Sequence, residues 1–160
     1  MGIAEIRALK EKKGSVMSSE EVQKLFKPKA LTNTMAGRFH QGQYECSKGS
    51  VYFRSKWEAN YALYLDWLIA QKKIKDWEYE SETFFFDKIK LGTRSYRPDF
   101  KIFNLDGSVQ YDEVKGYLDS KSKTKLKRMA KYFPQVKVVL IEKAFYSDMM
   151  KKLKGLIKFY

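Results

Sequence analysis

The sequence predicts a mixed α/β domain, a central sheet of about four or five strands flanked by helices. Three observations carry this. A helical period runs from residue 54 to about 73, strand and turn segments alternate from 76 to 116, and a basic amphipathic helix followed by a β-branched run comes after them. The 160 residues are 44% hydrophobic and 16% aromatic, which suits one modest core and excludes a disordered chain.

Taking the elements in order, Trp57, Tyr61, Leu65, Leu68 and Ile69 recur at spacings of three and four, and Ala62, Leu63 and Tyr64 broaden that apolar face. Ser55 is placed to cap this helix, with Glu58 three residues on, the capping-box pattern. DWEYESETFFF (76–86) is aromatic and partly alternating, so one or two strands are expected; Glu78, Glu80 and Glu82 read there as a solvated strand edge. KLGTRS (90–95) reads as a turn, YRPDFKIF (96–103) as a strand with Pro98 at its start, NLDGS (104–108) as an Asp-Gly turn and VQYDEVKG (109–116) as the returning strand of a hairpin. SKSKTKLKRMAKYF (120–133) is a basic helix with Leu126, Met129, Ala130 and Phe133 on its apolar face, closed by Pro134. VKVVLI (136–141) reads as a buried strand, and a last amphipathic helix over about 147–158 carries Met150, Leu153 and Ile157. Residues 51–160 are expected to form the core. Residues 1–50 read as an N-terminal arm or small subdomain, with a short helix over 18–26 ended by Pro28 and a loop over 30–50 around Gly37, Gly42 and Gly49.

Absences narrow the chemistry. Cys46 and His40 are the only cysteine and histidine, which excludes an intramolecular disulfide, a multi-cysteine zinc site and a multi-histidine catalytic zinc. No run of about 18 apolar residues marks a membrane span, and the opening residues lack the apolar core of a secretory leader, so a cytoplasmic location is expected. Hydrolytic chemistry here would rest on carboxylates, lysine and a bound metal. The net charge of +13 favours a polyanionic partner. Residues 51–114 carry 10 basic and 11 acidic side chains, whereas 115–160 carry 13 basic and 3 acidic, so an acidic centre adjoins a basic flank.

In the hairpin, Glu113 and Lys115 stand two apart and leave one face of the sheet, and Asp99 on the partner strand can face them. Two acids this close repel unless a cation or proton lies between them. Mg²⁺ suits such a site because it takes hard oxygen ligands, and the Val114 carbonyl is a candidate for another. Lys115 would orient water or stabilise developing charge, and Glu58 on the preceding helix is a further ligand candidate. The competing reading is a solvated strand face with cross-strand ion pairs. Lys121, Lys123, Lys125, Lys127 and Arg128 on the basic helix, with Arg97 and Tyr117 beside the hairpin, are candidate DNA contacts.

The segments FRSKWEANYALYLDWL (53–68), RPDF (97–100) and EVKG (113–116) resemble the PD-(D/E)XK nuclease superfamily, whose core is that of the restriction endonucleases. Together with KIKDWEYESETF (73–84), their order over about residues 53–141 is similar to the endonuclease I-like branch, small phage nucleases that resolve Holliday junctions. The resemblance implies metal ligands at Asp99 and Glu113, the family lysine at Lys115 and its helical acid at Glu58. It also implies homodimers that cut DNA with Mg²⁺ or Mn²⁺, and a location in the cytoplasm of a bacterial host. The interval of 14 residues from Asp99 to Glu113 is long for this branch and implies a longer turn. The expected function is a metal-dependent endonuclease acting on branched DNA. The alternatives are a sequence-specific homing or restriction-type enzyme on the same core and a non-catalytic DNA-binding protein.

Overall fold

The structure, a computed structural model, describes residues 41–160. The short helix expected over 18–26, with Pro28 and His40, lies outside them. The fold is mixed α/β, as expected, with a four-stranded mixed sheet and, among the described residues, three α-helices. None of these helices is long and apolar enough to cross a membrane. The chain divides into two compact units: the part through Lys73 together with Asp148–Tyr160, and Ile74–Ser147.

In the first unit, β1 (Gly42–Cys46) and β2 (Gly49–Phe53) form an antiparallel hairpin, with Tyr44 opposite Val51. This corrects the loop reading over 41–50, the part of 30–50 that lies among the described residues. Aromatic and β-branched residues, Tyr44, Val51 and Phe53, build the strands, and Gly49 supplies the φ of 92° that closes the tight turn. The helix α1 (Lys56–Ala70) follows, capped as predicted: the Glu58 amide donates to Ser55 Oγ at 3.2 Å. The Ser55 hydroxyl in turn donates to Glu58 Oε1 at 2.8 Å, and the Arg54 amide donates to Glu58 Oε2 at 3.1 Å. Ser55→Ala is expected to cost about 1 kcal/mol of stability in chemical denaturation; an unchanged midpoint would mean the cap contributes nothing.

α1 ends at Ala70, three residues before the sequence pattern does. Lys73 N–H reaches back to the Leu68 carbonyl at 2.8 Å and Lys72 N–H to that of Ile69 at 2.9 Å, with Lys72 at a φ of 54°. This is a Schellman closure made without glycine. The helix is buried on more than its apolar stripe, since Glu58, Asn60 and Asp66 are buried too. Distant partners satisfy them. Ser47 donates to Asp66 from its amide at 2.8 Å and from its hydroxyl, and the Tyr160 amide donates to Asn60 Oδ1 at 2.8 Å.

In the second unit the sheet runs β3 (Ile74–Tyr79), β6 (Phe100–Asn104), β7 (Val109–Lys115), β8 (Val138–Glu142), with β4 (Phe84–Phe85) and β5 (Ser95–Tyr96) as a small separate pair. β3–β6 and β6–β7 are antiparallel. β7–β8 is parallel, and α2 (Ser120–Tyr132) provides the crossover that a parallel pair requires. The predicted hairpin over 96–116 is present, with its turn closed by Asn104 N–H to the Ser108 carbonyl at 2.9 Å and Gly107 at a φ of 85°. The predicted strand 96–103 is split, because Arg97, Pro98 and Asp99 interrupt it between β5 and β6. Proline has no N–H to give a ladder.

Three further expectations are corrected. β8 is only half-buried, with Ile141 alone fully covered, because it lies at the edge of its sheet. The last helix, α3, spans Lys143–Lys152, and its buried residues are Tyr146 and Met149, with Met150 half-buried; Leu153 and Ile157 are buried beyond its end. Ala130 is exposed, since α2 packs through Met129, Leu126 and Phe133.

Trp77, Phe100, Ile102 and Val114 are buried on one face of the sheet. On the other face Phe84, Phe86, Tyr96 and Tyr111 pack around Met129. Glu82 is no simple solvated edge: it accepts from Lys101 Nζ and from Tyr111 Oη, both at 2.7 Å. The lysine first and the phenol second hold its carboxyl below the usual range. Glu80 pairs with Arg97 at 3.2 Å, and only Glu78 of the three is exposed.

Candidate active site

The returning strand behaves as its alternation requires. Tyr111, Glu113 and Lys115 leave one face of β7, and Asp112 leaves the other, where it is 1% exposed and accepts from Gln110 Nε2 at 2.7 Å. Lys115 Nζ lies 3.0 Å from Glu113 Oε1. Asp99 stands in the bend just before β6, not on the strand. The β6–β7 register pairs Phe100 with Asp112, so one residue further Asp99 comes level with Glu113. Asp99 Oδ2 accepts the Val114 amide at 2.8 Å.

The end of the β6–β7 ladder at the Phe100–Asp112 pair explains why that amide takes a side-chain acceptor. Continued by two residues, the register would set Pro98 opposite Val114, but the ladder has broken there. A strand residue presents its N–H and C=O to the same neighbour. The Asp99 carboxylate takes the N–H, and Pro98 has no N–H with which to claim the carbonyl. The Val114 carbonyl therefore faces the Asp99 side, as a metal ligand at this position would.

Asp99 and Glu113 are 6% and 4% exposed. Lys115 pairs with Glu113 at the edge of this buried pair of carboxyl groups, and carboxylates this close favour a cation between them. A divalent cation fits this donor set: two carboxylates, hard oxygens and an adjoining backbone carbonyl. Among the described residues no three His, Cys, Asp or Glu side chains form one group that could hold a metal.

Tyr96 belongs to the site and was absent from the sequence reading. It is buried, and its hydroxyl donates to Glu113 Oε2 at 3.0 Å. Burial foremost, and then the Glu113 charge, raise its pKa, so it remains a protonated donor. The signal in the sequence was slight: one aromatic two residues before the Pro-Asp pair, at the end of a strand too short to show a period.

The remaining predicted residues fall in several places. Glu58 lies in the first unit, in the α1 cap already described. Arg97 is half-exposed and paired with Glu80. Tyr117 is 83% exposed, next to a cleft of about 250 Å³ that Lys115, Gly116 and Leu140 help to line. Lys121, Lys123 and Lys127 are exposed on α2. Lys125 lies 5.9 Å from the centre of the Tyr96 ring, and the Arg128 guanidinium donates to the Thr93 carbonyl. Cys46, in the first unit, has its thiol pushed up to about 12 by burial and then by Asp66, which makes it a poor nucleophile.

Residues 43–148 match the sequence model of one family, described as "Protein of unknown function (DUF1064)". No curated protein and no solved structure matches the chain.

Proposed function

The chain belongs to the DUF1064 family, and we propose that it is a metal-dependent DNA endonuclease of the PD-(D/E)XK type, acting on branched DNA. The observation that carries this reading is the buried pair of Asp99 and Glu113 with Lys115 on the same face. Mg²⁺, or Mn²⁺ in its place, would be held by Asp99, Glu113 and the Val114 carbonyl, where it supplies positive charge against the scissile phosphate and acidifies nearby water. The chain's own groups do the rest. The Val114 amide holds Asp99 in one orientation, and the Tyr96 hydroxyl holds Glu113. Lys115 carries a charge that can turn from Glu113 toward the phosphate or the attacking water. The basic residues of α2 and the exposed Tyr117 ring suit the flanking strand, through phosphate contact and base stacking. One site per chain cuts one strand, so the proposal includes a two-fold homodimer.

The test is cleavage of a labelled four-way junction and its matching linear duplex with Mg²⁺, Mn²⁺ and EDTA. Metal-dependent cutting of the junction, weak on the duplex and symmetric on opposing strands within one binding event, is the expected result. Intact substrates with either metal would overturn the reading, and products nicked on one strand only would overturn the dimer. Tyr96→Phe is expected to weaken Mn²⁺ binding by about 10–100-fold, as loss of a group that orients a ligand does. Calorimetric titration reads this directly, and unchanged affinity would remove Tyr96 from the site.

A further inference from the structure

A second cleft in the same unit, of about 580 Å³, is lined by Gly92, Thr93, Arg94, Ser95, Lys121 and Lys125. One wall is the 92–95 turn, and the other is the start of α2. Both walls are fixed. The Phe86 amide donates to the Arg94 carbonyl at 2.8 Å, and Arg128 ties the Thr93 carbonyl to α2. Lys121 and Lys125 are one helical turn apart and so share a face. Among the described residues, none of the three cations is paired with a carboxylate. The cleft therefore gathers three positive charges and two hydroxyls with no anion of its own. It is joined to the acidic pair by one side chain: Lys125 lies against the ring of Tyr96, whose hydroxyl is bonded to Glu113.

We propose that this cleft is a phosphodiester site, which grips a backbone phosphate of the DNA strand close to the phosphate facing Asp99 and Glu113. The proposal rests on the nuclease reading for the identity of the strand. Arg94 presents a planar fork suited to a phosphate, and the two lysines add point charges. A strand held there would fix which phosphodiester comes to the acidic pair, so the cleft would set the position of the cut.

The experiment measures binding apart from cleavage. Anisotropy of a labelled four-way junction is followed in EDTA against salt concentration, with all proteins carrying Asp99→Asn. Arg94→Gln with Lys121→Gln is expected to weaken binding about tenfold and to reduce the salt slope by about one, the loss of one phosphate contact. Lys75→Gln with Lys137→Gln changes the charge equally at exposed positions outside the cleft and is expected to leave the slope nearly unchanged. An equal loss in that control would overturn the proposal, and so would competition by millimolar inorganic phosphate beyond that of chloride at matched ionic strength, which would mark a free-anion site. A cleaving wild-type protein whose cleft variants keep full affinity would sink the cleft and leave the nuclease standing. Weakened cleft variants of a protein that never cleaves would do the reverse.

Discussion

Asp99→Asn is expected to lower junction cleavage by about 10³-fold or more while the protein stays folded and bound to DNA. The size follows from the work assigned to the carboxylate. On the proposed mechanism, several kcal/mol of charge stabilisation at the phosphate would depend on holding the metal, and each 1.36 kcal/mol is a factor of ten. Asparagine is the informative replacement. Its carbonyl oxygen can still accept the Val114 amide, the 2.8 Å bond that Asp99 makes, whereas alanine would strand a buried N–H at about 1–3 kcal/mol. An Asn variant that melts with the wild type and does not cut separates chemistry from folding. An Asn variant that cuts at half the normal rate would show that the acidic pair is not the catalytic centre.

Phe100→Ala is expected to give the largest loss of stability, about 3–5 kcal/mol. Phe100 is fully buried, with its ring centroid 5.6 Å from that of Trp77 and 5.3 Å from that of Tyr79. Both neighbours lie on β3, whose register with β6 leaves little freedom for them to fill the gap. The midpoint of urea denaturation, read with an unchanged slope, measures the loss. A change below about 1.5 kcal/mol would mean that the site collapses around the gap. Because Asp99 is the next residue, this variant is also expected to lose metal affinity, which links the packing of one sheet face to the chemistry of the other.

The parts of this molecule that were legible in the sequence are those fixed by local period or local chemistry. Ser55 and Glu58 announced the start of α1 because a cap is made within four residues. Glu113 and Lys115 share a face because strand side chains alternate whatever the tertiary context. Period gave no sign of groups whose partners are remote. The buried Asn60 and Asp66 are satisfied by Tyr160 and Ser47, and Tyr96 finds Glu113 only after the chain has turned at Pro98. β1 and β2 are short and glycine-bearing, so their strand character shows only in the pairing. The run 136–141 has the composition of a buried strand, but its place at the sheet edge depends on the crossover through α2, which hydropathy does not record. Glu82 read as solvated because Lys101 and Tyr111, which claim it, belong to the following strands.

The β6–β7 hairpin has a consequence for how the site comes into being. Asp99, Glu113 and Lys115 all belong to this one hairpin, turned by five residues from Asn104 to Ser108. Its closure carries the least loss of chain entropy of any pairing in the four-stranded sheet, since β3 and β8 must each be brought in from much greater sequence separation. The acidic pair is therefore assembled by the most local contacts of its sheet, and the repulsion between its carboxylates must be met early in folding, when Lys115 is the one cation already delivered by the same strand.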